Sequence, residues 1–112
     1  SVIYTHPEVA HVGAAESELK ERGVPYRKSI QPMSLAGRFV VEHARESGTV
    51  KVLVGEEYDQ ILGIHMIGGS CGEFVASAAA MIEMELRPQD VREIVFPHPT
   101  VSESLKEAVI RA

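Results

Sequence analysis

Residues 49–54 (TVKVLV) alternate so that Val50, Val52 and Val54 fall on one face. A second apolar run, 61–67 (ILGIHMI), follows after a short connection containing Gly and Asp. Two period-two runs joined by a few polar residues predict an antiparallel hairpin. Residues 1–4 (SVIY) read as another strand, broken by His6-Pro7-Glu8. Residues 26–31 read as a further one, stopped by Pro32, which has no N–H to give a ladder. Residues 14–22 (AAESELKER) predict a short charged helix, with Gly23 at the C′ position and Pro25 just beyond. The stretch 33–47 is ambiguous, since Phe39-Val40-Val41 suits a strand or a buried piece of loop.

After Gly68-Gly69 the period changes from two to that of a helix, over 71–86. Phe74, Val75, Ala78, Ile82 and Leu86 form a core-facing stripe, while Ala76, Ser77, Ala80, Met81 and Met84 occupy the other side. A helix with so little polar surface is normally covered on both sides. The second cover is either another copy of the chain or the domain's own loops. Pro88 fits the first turn of a short helix reaching Ile94, and 102–110 form the last helix. Strands early, helices late and no regular βαβ alternation give an α+β domain, a mostly antiparallel sheet packed with helices.

At 112 residues the chain is one domain, long enough to bury roughly two thirds of its unfolded surface. The net charge of -5, with Arg27-Lys28 the only adjacent basic pair, argues against a nucleic-acid surface. No apolar run reaches the roughly 18–20 residues of a membrane span. The single cysteine, Cys71, rules out an internal disulfide or a CxxC pair, and a reducing, cytoplasmic setting is expected. The chain opens directly on a strand and closes inside an apolar-periodic segment, which reads as a domain cut from a longer protein.

The candidate chemistry lies in residues 96–103 (FPHPTVSE). His98 stands between Pro97 and Pro99, with Glu103 five residues on. Imidazole exchanges a proton near neutral pH, rigid flanks aim the ring, and a carboxylate selects its tautomer. The same residues have a plainer reading. Thr100-Val101-Ser102-Glu103 matches a capping box, in which the threonine hydroxyl and the glutamate side chain satisfy each other's free backbone donors. Gly63, Gly68, Gly69 and Gly72 fit neither GxGxxG nor the Walker pattern, and are expected to serve tight turns and close packing. Cys71 is expected to be a buried small residue. His6, His11, His43 and His65 show no ligand-like spacing, so no metal site is expected.

Taken together, these segments resemble the C-terminal dimerisation domain of the pyridine nucleotide-disulfide oxidoreductases, and within that family the branch that oxidises dihydrolipoamide. The matching residues are Tyr4-Thr5-His6-Pro7-Glu8-Val9-Ala10 with Val12-Gly13, then 48–53, Ile61-Leu62-Gly63 with His65, and Gly68 with Gly72-Glu73. They finish in His98-Pro99-Thr100, Ser102-Glu103 and Lys106-Glu107-Ala108, the most specific block. Phe96, where the family often has a second histidine, and His11, where an aromatic is common, depart from the pattern.

The resemblance implies that residues 1–112 form an interface domain whose FAD- and NAD-binding domains precede it. It implies a homodimer in which His98 is the acid–base that deprotonates a dihydrolipoamide thiol, with Glu103 orienting it. It implies that His98 and Pro99 approach the partner subunit's flavin, and that the His98–Pro99 bond is cis. Lipoyl domains of a 2-oxoacid dehydrogenase complex are the implied partners, and the fragment alone is expected to be inactive. Rival readings are a stand-alone interaction module and the same domain of another disulfide reductase, such as a glutathione type.

Overall fold

The valines of the 49–54 run do line one face of a sheet. The computed structural model, which describes residues 1–112, has a single five-stranded antiparallel sheet in the order β1-β2-β5-β4-β3. Its strands are β1 (Val2–Ile3), β2 (Val9–Gly13), β3 (Tyr26–Pro32), β4 (Thr49–Gly55) and β5 (Ile61–Ile67). The helices are α1 (Glu16–Glu21), α2 (Gly37–Glu42), α3 (Cys71–Glu83), α4 (Pro88–Arg92) and α5 (Glu103–Ile110), with a 3-10 turn at Met33–Leu35. The α+β expectation therefore holds.

The predicted hairpin is β4–β5, with Thr49 opposite Ile67 and Val52 opposite Ile64, and a bulge at Leu53/Val54. Across the sheet, Ala10 pairs with Met66 and Met66 with Val50, so one face carries a continuous apolar row. These side chains are essentially inaccessible to water. Phe74, Ala78 and Met81 of α3 and Leu105, Ala108 and Val109 of α5 join them in one cluster. Burying an aliphatic side chain of this size is worth roughly 1.5–3 kcal/mol, so this cluster anchors both helices. On the other face Glu16 of α1 accepts hydrogen bonds from Tyr26, Lys28 and Lys51. Chiefly through the Lys51 bond, its carboxyl is lowered to about 2. No helix is long and apolar enough to cross a membrane.

Two helix ends show how local chemistry stops a helix. Gly23 (φ 68°) follows α1, and the Val24 N–H returns to the Leu19 carbonyl at 2.9 Å. That is the expected glycine C-cap. At the end of α3 the same hydrogen-bond pattern is closed by Glu85 (φ 55°), with the Leu86 N–H bonded to the Met81 carbonyl at 2.9 Å. The predicted 71–86 helix therefore ends three residues early, and Leu86 packs from outside it.

Other differences have physical causes. The first strand shrinks to two residues, and β2, not anticipated, follows the His6-Pro7-Glu8 break. The β2 strand pairs along its whole length with β5, so long-range pairing rather than local pattern decides it. Phe39-Val40-Val41 is helical. Only Phe39 is buried, while Val40 and Val41 are exposed, a one-sided burial that suits a single helical turn. Met81 lies on the core side of α3 and not on its outer face. The small residues of the glycine cluster do serve close packing: a Cβ on Gly63 would sit 2.1 Å from the Ala14 carbonyl oxygen. Cys71 is buried, and that burial pushes its thiol up from the usual range.

Candidate functional site

The segment from 96 to 103 lies between α4 and α5 as an ordered loop, and its shape comes from several short bonds. Thr100 Oγ1 donates to the Pro97 carbonyl at 2.8 Å and lies 2.9 Å from Ser102 Oγ. Ser104, fully buried at the start of α5, donates to the Val101 carbonyl at 2.7 Å. Lys106 donates to the Ile94 carbonyl and sits 5.7 Å from the centre of the Phe96 ring. The His98–Pro99 peptide is cis, as the resemblance implies, and so is His6–Pro7.

This frame brings His98 and Glu103 together. His98 Nδ1 lies 2.9 Å from Glu103 Oε1 and 3.1 Å from Oε2. The carboxylate can only accept, so Nδ1 carries the proton in the neutral ring and Nε2 keeps its lone pair. The His98 side chain is 77% exposed and that of Glu103 26% exposed. The carboxylate is thus held against the domain while the imidazole is largely exposed. A lone pair left free on Nε2 can accept a proton, and a carboxylate at Nδ1 stabilises a protonated ring.

Half of the predicted capping box is present. The Thr100 N–H donates to Glu103 Oε1 at 2.9 Å. The return bond is missing because the threonine hydroxyl is spent on Pro97, and the helix begins only at Glu103. Glu103 therefore serves the backbone and the imidazole at once. Its carboxyl is held below the usual glutamate range, first by the Thr100 N–H, then by the hydrogen bond to His98, with the Lys106 charge adding to both. The Thr100 N–H is the one member of the site that side-chain pattern could not assign to the imidazole's support.

A folded-state value below the unfolded one means this carboxylate stabilises the fold above the unfolded value, and that stability is lost as pH falls through the folded one. A 13C NMR titration of the Glu103 carboxyl is expected to show a midpoint below the ordinary glutamate value. A midpoint equal to or above it contradicts the bonding described here.

Two concavities flank the loop. One, of about 420 Å³, is lined mainly by polar residue types, among them Arg38, Glu42, Ser70, Glu73 and Thr100, with Pro99 beside them. The other, of about 350 Å³, is apolar and is lined by Ala80, Met84, Leu86, Val95, Phe96 and Pro97, among others. Beside the apolar one runs the outer face of α3, where Ala76, Ser77 and Ala80 are exposed. Met84 is 72% and Val95 89% exposed. The domain's own loops border this face without covering it, so that of the two covers considered from sequence, the loops are excluded.

The sheet is antiparallel throughout, without the parallel βαβ crossover whose glycine-rich turn holds a dinucleotide pyrophosphate. This chain does not by itself fit FAD or NAD.

Comparison with known proteins places this geometry. The family described as "Pyridine nucleotide-disulphide oxidoreductase, dimerisation domain" matches residues 1–109. The chain belongs to that family. Over its full 112 residues it is 43% identical to dihydrolipoyl dehydrogenase, mitochondrial, of Caenorhabditis elegans. It is 40% identical over the same length to the human protein of that name. It spans 22% of the length of each of these relatives.

Among solved structures, LpdA from Mycobacterium tuberculosis superposes with a TM-score of 0.89 at 22% identity, over 99% of this chain and 24% of that one. The HOCl-induced flavoprotein disulfide reductase RclA from Escherichia coli gives 0.88 at 21%, over 98% and 25%. These likenesses establish the shared fold. The relatives' mitochondrial naming overturns the cytoplasmic setting expected from the single cysteine. A single thiol does not say in which compartment a protein lies.

Proposed function

We propose that this chain is the dimerisation domain of a flavin-dependent dihydrolipoamide dehydrogenase and that it contributes His98 and Glu103 to a site completed by a partner subunit. The observation that carries this reading is the His98–Glu103 pair, with Nδ1 held by the carboxylate and Nε2 exposed. Among the described residues no reactive partner stands opposite Nε2. The single cysteine is buried, so the redox disulfide must belong to another part of the protein.

In this reading His98 Nε2 accepts a proton from a dihydrolipoamide thiol. The resulting thiolate, not the thiol, attacks the disulfide. Glu103 holds the ring in the tautomer that leaves Nε2 free and stabilises the imidazolium once it forms. FAD and NAD, which would carry the electrons onward, are held by the domains preceding this one, with His98 and Pro99 forming one wall of the flavin site. The fragment alone does not oxidise dihydrolipoamide.

A second copy of the chain covers the outer face of α3. That face is small and apolar, lies beside an apolar groove, and belongs to a family defined by dimerisation. Lipoyl domains are the partners that deliver the substrate. A single set of assays on the full-length protein tests the substrate assignment. Reduction of NAD by dihydrolipoamide is expected to exceed any NADPH-dependent reduction of glutathione disulfide by at least about a hundredfold, the discrimination that specific positioning supplies. The reverse preference would move the chain to the glutathione branch of the family.

A further inference from the structure

A different group of side chains in this domain is aligned for proton transfer. Ser70 Oγ lies 3.1 Å from His43 Nε2, and His43 Nδ1 lies 3.0 Å from Glu46 Oε2. Ser70 comes from the turn between β5 and α3, His43 from the end of α2, and Glu46 from the loop leading to β4. Facing a carboxylate, Nδ1 carries the ring proton, and Nε2 presents its lone pair to the serine hydroxyl. Nucleophile, base and orienting acid thus stand in the order of a Ser-His-Asp/Glu triad.

The imidazole is built into place. Phe39 lies against it at 5.1 Å between ring centres. On the side of Gly69, an added Cβ would fall 2.2 Å from Cε1, so only glycine allows the ring where it is. His6 Nε2, at 3.0 Å, holds the other oxygen of Glu46. Ser70 has φ 71° and ψ -1°, a left-handed backbone that few non-glycine residues adopt. It sits at a sharp strand-to-helix turn, and Gly68-Gly69-Ser70-Cys71-Gly72 has the spacing G-x-S-x-G, the turn that raises a serine hydroxyl out of a sheet. Ser70 opens on the concavity of about 420 Å³, which Arg38 also lines.

We propose that Ser70, His43 and Glu46 form a nucleophilic site that hydrolyses small carboxylic esters. His43 Nε2 takes the proton of Ser70 as Oγ adds to the ester carbonyl carbon. The tetrahedral adduct collapses with cleavage of the bond to the leaving alcohol, which receives that proton from His43. A water, deprotonated by the same nitrogen, then adds to the acyl-serine. The carboxylic acid departs, the proton returns to Oγ, and no electrons are exchanged. The backbone donors nearest the serine are engaged: the Gly72 N–H by Glu8 Oε2 at 3.0 Å, and the Cys71 N–H by the Gly68 carbonyl at 3.3 Å. A missing oxyanion donor costs about 10²–10³ in rate, so turnover is slow and trapping of the serine is the sensitive readout.

The test treats the full-length protein with a fluorophosphonate probe, locates the adduct by peptide mass spectrometry, and follows p-nitrophenyl acetate hydrolysis in parallel. A phosphonyl adduct on Ser70 is expected. Labelling is expected to slow by at least about tenfold in His43→Gln and in Gly69→Ala. Ser70→Gly, which suits the left-handed backbone, is expected to abolish labelling and to lower ester hydrolysis by at least about tenfold with an unchanged melting temperature. His98→Gln is expected to label like the wild type. A folded protein without an adduct at Ser70, or with one formed equally fast in His43→Gln, overturns the proposal.

Discussion

Replacing His98 with glutamine is expected to slow the thiol–disulfide half-reaction of the intact enzyme by about 10²–10⁴-fold, the usual worth of a positioned acid–base group. The side chain is 77% exposed and belongs to no hydrophobic cluster, so the substitution removes no packing. Glutamine can still donate to Glu103 from a similar distance. It cannot accept and hold a proton, so the dihydrolipoamide thiol would have to ionise unaided. The loss should therefore fall on the rate of enzyme reduction by dihydrolipoamide, measured by stopped flow, with melting temperature and dimerisation unchanged. Wild-type reduction rates in His98→Gln would remove His98 from the chemistry and leave Glu103 as a helix-end residue only.

Ala80→Glu is expected to split the dimer and, with it, the activity. Ala80 lies on the exposed face of α3 and lines the apolar groove with Met84, Leu86 and Val95. In this account a second copy covers that face. In an isologous interface one substitution enters twice, so two carboxylates would be desolvated across a single axis. An unpaired buried charge costs about 3–5 kcal/mol, enough to weaken association by at least two orders of magnitude. Sedimentation of the full-length variant should show monomer at concentrations where the wild type is dimeric. A variant that stays dimeric with normal activity would mean that the contact lies elsewhere on the domain.

The parts of this fold that could be read from the chain are those specified by short-range pattern. The β4–β5 hairpin announces itself by alternation, and α1 by its glycine cap. The His98–Glu103 pair was within reach because five residues and a rigid loop separate its members. The elements that escaped are decided at a distance. The β2 strand is a strand because β5 lies beside it. Phe39-Val40-Val41 is β-like in composition, yet it turns as a helix to bury one aromatic ring. The contact of His43 with Ser70 spans 27 residues. The turn that makes it possible depends on Gly69, whose role shows only once the ring is seen against it. The outer face of α3 was legible as apolar, and its structure removes the loops as cover. The redox disulfide that His98 would serve leaves no trace in these residues, since in this account it sits on another subunit.

Subunit mixing tests directly whether His98 serves the partner's disulfide. Two inactive full-length variants are needed: His98→Gln, and one lacking the redox disulfide. They are unfolded together, refolded so that subunits exchange at random, and assayed for NAD reduction by dihydrolipoamide. If His98 serves the partner's disulfide, each hybrid dimer holds one intact site. Half the dimers are hybrids, so activity should recover to about a quarter of the wild-type level. If His98 serves the disulfide of its own subunit, every hybrid site carries one defect and the mixture stays as inactive as its components.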